Sequence, residues 1–246
     1  MKNKKSWEPS KFVYKHGKLV ASRNLQEVGV SSRLIANIMA SFYGDHIKEH
    51  CRGKLVDLGC GKVPLYEACK NLVDEHICVD WPNTLHKNQY LDFECDLTQE
   101  LPFKDQEFDT IILSDVLEHI PQPEYLWKEM SRILKKDGKI LLNVPFYYWL
   151  HEAPYDYYRY TEYALRRFAE LEGFEVIFLE AVGGMPEVIA DMLAKFIHFR
   201  PLIGNFLANA IQNITYIFIH SQVGKRISKS TSKRSPLGYF MIVKKA

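Results

Sequence analysis

The side chains with the most chemistry in this chain fall into three short strings. In LVDLGCG, residues 55–61, an apolar run suited to a buried strand ends in a Gly-x-Gly turn. Glycines at such a turn let the backbone approach a ligand, and Pro64 suits the first turn of a following helix. Acids recur at matching places: Asp57 two residues before the first glycine, Asp80 at the end of the next apolar run, and Asp96 in CDLTQ. Carboxylates there can accept hydrogen bonds from vicinal hydroxyls or from an amine. In SDVLEHI, residues 114–120, Asp115, Glu118 and His119 stand at i, i+3 and i+4, so one helical turn would gather them on one face before Pro121. In PFYYWLHEAPYDYYRYT, residues 145–161, His151, Asp156, Tyr157, Arg159 and Tyr160 crowd one loop. A histidine with a pKa near ~6.5 can take a hydroxyl proton. The same histidines with carboxylates could instead hold a divalent cation, oxygen-rich sets favouring Mg²⁺ or another hard metal and histidines favouring Zn²⁺.

Something must bring these strings together. Short apolar runs at Lys54–Leu58, His76–Val79, Thr110–Leu113, Lys139–Val144 and Glu175–Leu179 read as buried parallel strands. Helical patterns fall between them: Pro64–Asn71, Glu124–Lys135 before an Asp137-Gly138 stop, and Glu162–Glu172, which Thr161 can cap and Gly173 can end. A basic, irregular start precedes a helix capped by Ser31 or Ser32, with Leu34, Ile35, Ile38, Met39 and Phe42 on one face. Alternating strand and helix predicts an α/β fold with a doubly wound parallel sheet, whose ligands bind beyond the carboxyl ends of the strands. Tyr239–Val243 can add a last strand. The pattern divides into an extension and first helix over 1–50, a core over 51–184 and 236–246, and a helical insertion with a basic tract over 185–235. Two nucleotide sites are disfavoured: Val63 follows Gly61-Lys62 where a phosphate loop needs Ser or Thr, and Pro64 occupies the third glycine of a dinucleotide fingerprint.

A third possibility matches in series. Asp57 with Gly59 and Gly61, then Asp80, then CDLTQELPFKDQEFDTIILSDVLEHI over 95–120 and KKDGKILLNVPF over 135–146 resemble the class I S-adenosylmethionine-dependent methyltransferases, of the methyltransferase type 11-like family, across roughly residues 50–183. The resemblance implies a Rossmann-like, mostly parallel seven-stranded sheet with the last strand antiparallel, and S-adenosylmethionine as cofactor. It implies that Gly59 and Gly61 line the methionine part and that Asp57 lies near its ammonium. Asp80 would accept the ribose hydroxyls and Asp96 with Leu97 would read the adenine. Trp81 and Ser114 join this cofactor-binding set, although Trp81 could equally be ordinary half-buried packing. Val63 departs from the family, which often has a third glycine there.

On the acceptor side, a similar H-x-x-P-x-D-Y-x-R-Y-T string in methyltransferases of small-molecule, lipid and glycan biosynthesis assigns Asp156, Tyr157, Arg159 and Tyr160 to an acceptor pocket. His119 or His151 would then be the catalytic base. Two other readings stay open: a turn closed by Glu118-His119 with His151 anchoring a loop, and a divalent metal on Asp115, Glu118, His119 and His151. The metal set resembles the E-x-x-E-H plus His site of some quinone and small-RNA methyltransferases, but Asp115 stands where those have Glu and shortens the reach, so a metal is not favoured. The expected reaction is methyl transfer to a hydroxyl, before an amine or carbon, of a small-molecule, lipid-linked or glycan acceptor. A non-catalytic cofactor-binding scaffold and a nicotinamide-dependent oxidoreductase are the alternatives, the latter weakened by Pro64.

Of the 246 residues, 47% are hydrophobic and 25% charged, which excludes a disordered or disulfide-stapled chain. The net charge of +2 hides a division. Residues 1–23 hold seven Lys or Arg against Glu8, residues 24–191 hold 16 basic against 29 acidic, and residues 192–246 hold nine basic and no acid. Five cysteines without a C-x-x-C pair fit a reduced cytoplasmic setting, and the amino end has no apolar run that could serve as a signal peptide. As a helix, residues 202–218 would carry Ile203, Phe206, Leu207, Ala210, Ile211, Ile214 and Phe218 on one side and Asn205, Asn209, Gln212, Asn213 and Tyr216 on the other. The first expectation for that apolar side is packing over the acceptor site. The sharper one is docking on an anionic membrane through 201–235, peripheral on the inner face, with the tract KRISKSTSKRS supplying charge. Nucleic acid is not favoured, since the acidic middle would repel it, and no pattern specifies an oligomeric state.

Overall fold

Alternating apolar residues on either side of His16-Gly17 form a hairpin, β1 (Phe12–Lys15) and β2 (Lys18–Ala21), where the sequence pattern suggests an irregular start. The two turn residues both have positive φ, +51° and +75°, the geometry that matches strand twist in a two-residue turn. Helix α1 (Arg33–His50) follows, and its buried Leu34, Met39, Tyr43 and Ile47 keep helical spacing. Ser32 stands at its N-cap position, but its side chain makes no capping bond. Instead the buried Gln212, 178 residues away, accepts the Leu34 N–H at 2.6 Å and donates to the Ser31 carbonyl at 3.0 Å.

The chain then winds the sheet: β3 (Gly53–Leu58), a short α2 (Tyr66–Cys69), β4 (Val73–Asp80), β5 (Phe93–Glu94), β6 (Phe108–Ser114), α3 (Pro123–Ile133), β7 (Leu134–Pro145), α4 (Glu162–Leu171) and β8 (Phe174–Val182). The insertion supplies α5 (Met185–His198), α6 (Gly204–His220) and α7 (Gln222–Ser232) before β9 (Gly238–Lys245). This computed structural model describes residues 1–82 and 89–246. The seven strands lie in the order β5-β4-β3-β6-β7-β9-β8, all parallel except β9, which runs antiparallel between β7 and β8. The doubly wound, mostly parallel sheet is therefore as the alternation predicts.

Both faces are covered, so the inner strands are apolar on both sides. Val56, Ile111 and Leu142 pack toward Leu126, Trp127 and Met130 of α3, while Leu55, Ile112 and Leu141 pack toward Met39, Tyr43 and Ile47 of α1. Two boundaries differ from expectation. Helix α3 stops at Ile133 because Leu134 already pairs with Phe108, so Asp137-Gly138 lies inside β7. Helix α2 is a single turn, because left-handed Val63 and a bend precede it.

The insertion corrects the sequence reading most. The face of α6 that meets protein is Gly204, Ala208, Gln212 and Ile219, while Ile203, Phe206, Ile214 and Phe218 are exposed. Small residues decide this, because they let the helices approach closely: Ala194 and Ala208 cluster with Val30, and Ala190 and Ile219 with Leu34. A side chain on Gly204 would begin 2.5 Å from the His198 carbonyl oxygen. Helix α7 runs through the basic tract to Ser232. Among the described residues, no helix is long and apolar enough to cross a membrane.

Gln212→Ala removes two buried hydrogen bonds and leaves the α1 end unsatisfied. It should cost about 2 kcal/mol and lower the thermal midpoint by about 4–8 °C, measured by circular dichroism.

Candidate active site

The glycine turn follows directly from the end of β3. Gly59 has φ +73°, and a side chain there would begin 2.4 Å from Val116 Cγ2. Its N–H and that of Cys60 both donate to the Val79 carbonyl, tying the turn to β4. The Gly61 N–H donates to Asp80 Oδ2 at 2.9 Å, and Trp81 N–H donates to Oδ1 at 2.9 Å. Val63, at the position of the family's frequent third glycine, keeps left-handed φ (+51°) although it is β-branched and fully buried. Trp7 closes over this turn, its indole donating to the Val63 carbonyl at 3.2 Å.

Asp57 lies beneath the turn, its Oδ2 3.8 Å from Nε2 of the buried His76. Burial opposes protonation of His76, yet the neighbouring Asp57 carboxylate and Cys78 thiol raise its pKa to about 9. Further along the edge, Asp96 Oδ1 accepts the Thr98 N–H at 2.9 Å and Leu97 is buried. Trp81 meets Tyr155 edge-on at 4.9 Å, so it joins this edge to the acceptor loop. Ser114 donates to Asn143 Oδ1 at 2.9 Å, which also accepts the hydroxyl of the buried Tyr43 at 2.7 Å. A cradle that a Cβ would fill, with carboxylates at the ends of β4 and just beyond β5, fits a cofactor bearing hydroxyls and an amine.

Beside this edge lies a cavity of about 300 Å³ lined by Lys11, Asp115, Glu118, His119, Tyr148 and His151 among others. A larger open groove of about 1420 Å³ runs along α1, β8 and α7, away from the carboxyl edge. The expected single helical turn through Asp115, Glu118 and His119 does not form. Asp115 takes φ +53° and only Leu117–His119 makes a 3-10 turn. Asp115 is instead held by Lys11 at 2.7 Å and by the Asn143 amide. Burial opposes the Lys11 charge, but Asp115 holds its pKa above the ordinary value.

Glu118, His119 and His151 do converge, each offering a ligand atom within 4.8 Å of the others. The four-residue metal set thus loses Asp115, for which Lys11 is the competing partner. Glu118 is fully buried, with no hydrogen-bond partner on either carboxyl oxygen among the described residues. Burial, then the charge of Asp115, pushes its pKa well above the usual carboxylate range. His119 Nδ1 lies 2.8 Å from the Tyr155 carbonyl, which requires the proton on Nδ1 and leaves Nε2 a lone pair toward the cavity. His151 Nε2 is 3.8 Å from Glu118 Oε1, and its Nδ1 is 3.3 Å from Asp156 Oδ2. Burial, with His119 alongside, lowers the His151 pKa and so favours its neutral ring.

The residues read as acceptor-pocket lining form its frame. Arg159 grips Asp156 through two nitrogens, at 2.5 and 2.8 Å, and that hydrogen bonding lowers the Asp156 pKa to about 2. The buried Tyr160 donates to the Leu117 carbonyl at 3.0 Å, and Tyr157 N–H donates to the Glu118 carbonyl at 2.9 Å. None of the four lines the cavity. Lys11, Asn143 and Tyr148 do, and no local motif marks them, because they arrive from the N-terminal segment, β7 and the loop after it.

With this geometry in view, the comparisons are direct. Residues 56–142 match the family model described as a methyltransferase domain. A protein of Methanocaldococcus jannaschii is 41% identical over 46 residues, 19% of this chain and 22% of that one. The ubiquinone biosynthesis O-methyltransferase of Idiomarina loihiensis is 28% identical over 113 residues, 39% of this chain and 46% of that one. These alignments therefore span less than half of either relative. In structure, a SAM-dependent methyltransferase from Archaeoglobus fulgidus superposes with a TM-score of 0.56 at 20% identity, covering 92% of this chain and 95% of that one. Residues 56–142 therefore carry a methyltransferase domain, on the fold that this S-adenosylmethionine-dependent methyltransferase shares.

Two substitutions probe the cofactor edge. Asp80→Asn should weaken S-adenosylhomocysteine binding about 10- to 100-fold, the loss of one or two charge-assisted hydrogen bonds. Gly59→Ala should abolish it through the Val116 clash. Titration calorimetry with wild-type affinity in either variant would remove that residue from the cofactor site.

Proposed function

We propose that this protein transfers the methyl group of S-adenosylmethionine to a hydroxyl oxygen, with His119 as the general base. The observation that carries this reading is the convergence of two imidazole Nε2 atoms on the buried Glu118 at the wall of a cavity beyond the carboxyl ends of β6 and β7. The cofactor, when bound, supplies an electrophilic sulfonium methyl group. Gly59, Gly61, Asp80, Asp96 and Leu97 are assigned to holding it, with Asp57 beneath, and Trp81 and Ser114 at the margin. A cavity of about 300 Å³ suits a small hydroxyl-bearing group rather than a whole large acceptor.

His119 is suited to take the proton because Tyr155 fixes its tautomer. Asp156, itself held ionised by Arg159, accepts the His151 backbone N–H at 3.0 Å, so the loop string anchors the segment that carries the second imidazole. Burial pushes Glu118 toward its neutral form beside the two rings, and Glu152 Oε2 lies 4.0 Å from His119 Nε2. Alignment of hydroxyl and methyl group accounts for most of the acceleration, ~7–11 kcal/mol in well-oriented systems. The base adds ~10²–10⁴-fold. That one relative is a ubiquinone biosynthesis O-methyltransferase supports a hydroxyl acceptor.

One observation favours a second reading. Two histidines and one carboxylate within 4.8 Å, the carboxyl unpartnered, make a His₂Glu set with room for substrate, the pattern of catalytic zinc sites. Glu118, His119 and His151 would be the ligands, and a bound cation would polarise the acceptor oxygen.

Labelled S-adenosylmethionine incubated with the protein and fractionated cell extract should mark one fraction, to be identified by mass spectrometry. His119→Ala should then lower kcat about 10²–10⁴-fold with S-adenosylhomocysteine affinity unchanged. Unaltered turnover in both His119→Ala and His151→Ala removes the base. Turnover that survives extended chelator dialysis supports the base, whereas loss restored by Zn²⁺ supports the cation.

A further inference from the structure

The two long helices of the insertion each leave an apolar stripe in water. On α5 it runs through Ile189, Phe196 and, just past the helix, Phe199; on α6 it runs through Phe206, Ile214 and Ile217. Phe196 and Phe206 keep 67% and 74% of their surface exposed, and the spacings are those of one helical face. The opposite faces of both helices rest on one platform at the start of α1, Val30 and Leu34, so the two stripes look away from the body together. An apolar surface of this kind on a folded chain marks an interaction site.

Charge identifies the occupant. Glu187 and Asp191, the acids of α5 to α7, are both buried and partnered, by Ser228 and Lys195. Lys225, Arg226, Lys229, Lys233 and Arg234 are all exposed. Gly224 brings α7 tightly against the end of α6, since a side chain there would begin 1.9 Å from the Phe218 carbonyl oxygen. The exposed charge carried by α5 to α7 is therefore wholly positive, and Arg200 at the corner between α5 and α6 lies over the Phe196 ring. Helices with an apolar face and flanking cations lie in the interface of an anionic bilayer.

We propose that the α5–α6 face docks the protein on an anionic lipid surface, with α7 as its electrostatic anchor. The docked face leads to the cavity. Phe199 packs on Trp149 at 5.9 Å, the Lys195 ammonium sits 3.4 Å from the centre of the Tyr148 ring, and Tyr148 lines the cavity. Leu150, beside His151, is 81% exposed. Resting on the methyl-transfer reading above, the acceptor is then an amphiphile whose hydroxyl-bearing head enters from the membrane.

The test is flotation of the full chain with vesicles of phosphatidylcholine alone or with an equal part of phosphatidylglycerol. Binding should require the anionic lipid and fall with added salt. Each basic residue contributes about fivefold, from about 1 kcal/mol near the surface, so Arg226→Gln with Lys229→Gln should lower the partition coefficient about 25-fold. Phe196→Glu with Phe206→Glu should abolish flotation while S-adenosylhomocysteine affinity and thermal midpoint stay at wild-type values. Wild-type protein that stays at the bottom with anionic vesicles overturns docking, as does flotation of the phenylalanine double variant. A dimer by light scattering that this variant dissociates, without flotation, assigns the face to a second copy and equally overturns it. No turnover enters this assay, so its failure leaves the methyl-transfer reading standing.

Discussion

Because β4 and β5 are laid down on one side of β3, and β6 and β7 on the other, the connections leave β3 and β6 in opposite directions and a crevice opens beyond their carboxyl ends. The backbone N–H groups just beyond those strand ends bond to neighbouring strands and their side chains, and these partners define the site. Gly61 N–H turns to Asp80, Asp115 N–H turns to the Asn143 carbonyl, and the glycine turn is hung from Val79. Every candidate functional side chain is then attached to a strand end or to a loop fastened to one.

The acceptor side shows how burial and pairing divide carboxylates between roles. Asp156 is ionised because Arg159 meets it in a two-pronged grip, while Glu118, a few ångströms away across His151, is buried without a cation and is pushed toward its neutral form. Asp115 lies between, neutralised by a lysine from the far end of the chain. Three acids that look alike in the sequence become a loop staple, a buried wall group and a salt bridge. Removing an ion from water is what separates them.

The insertion follows another rule. An apolar helical side normally turns inward, but here alanines and a glycine turn inward, because α5 and α6 must pack closely on each other and on the start of α1. Gln212, polar and expected outside, fills the α1 helix end and satisfies two groups that would otherwise be buried unpaired. Close packing and a complete hydrogen-bond account outweighed side-chain hydrophobicity, and the larger apolar residues were left outside.

The sequence by itself determined the sheet, the glycine turn and the acids at the strand ends, since alternation of apolar runs and the turn chemistry of Gly59 and Gly61 are local signals. It also brought His119 and His151 forward as a pair. What only the tertiary structure decided is which neighbour each charged or polar group meets: Lys11 for Asp115, Tyr155 for His119, Gln212 for the α1 end. It likewise decided which side of α6 is buried. These partners lie 36 to 178 residues apart. Spacing along a chain does not encode contacts of that range, which arise only when competing burial and pairing demands are met at once.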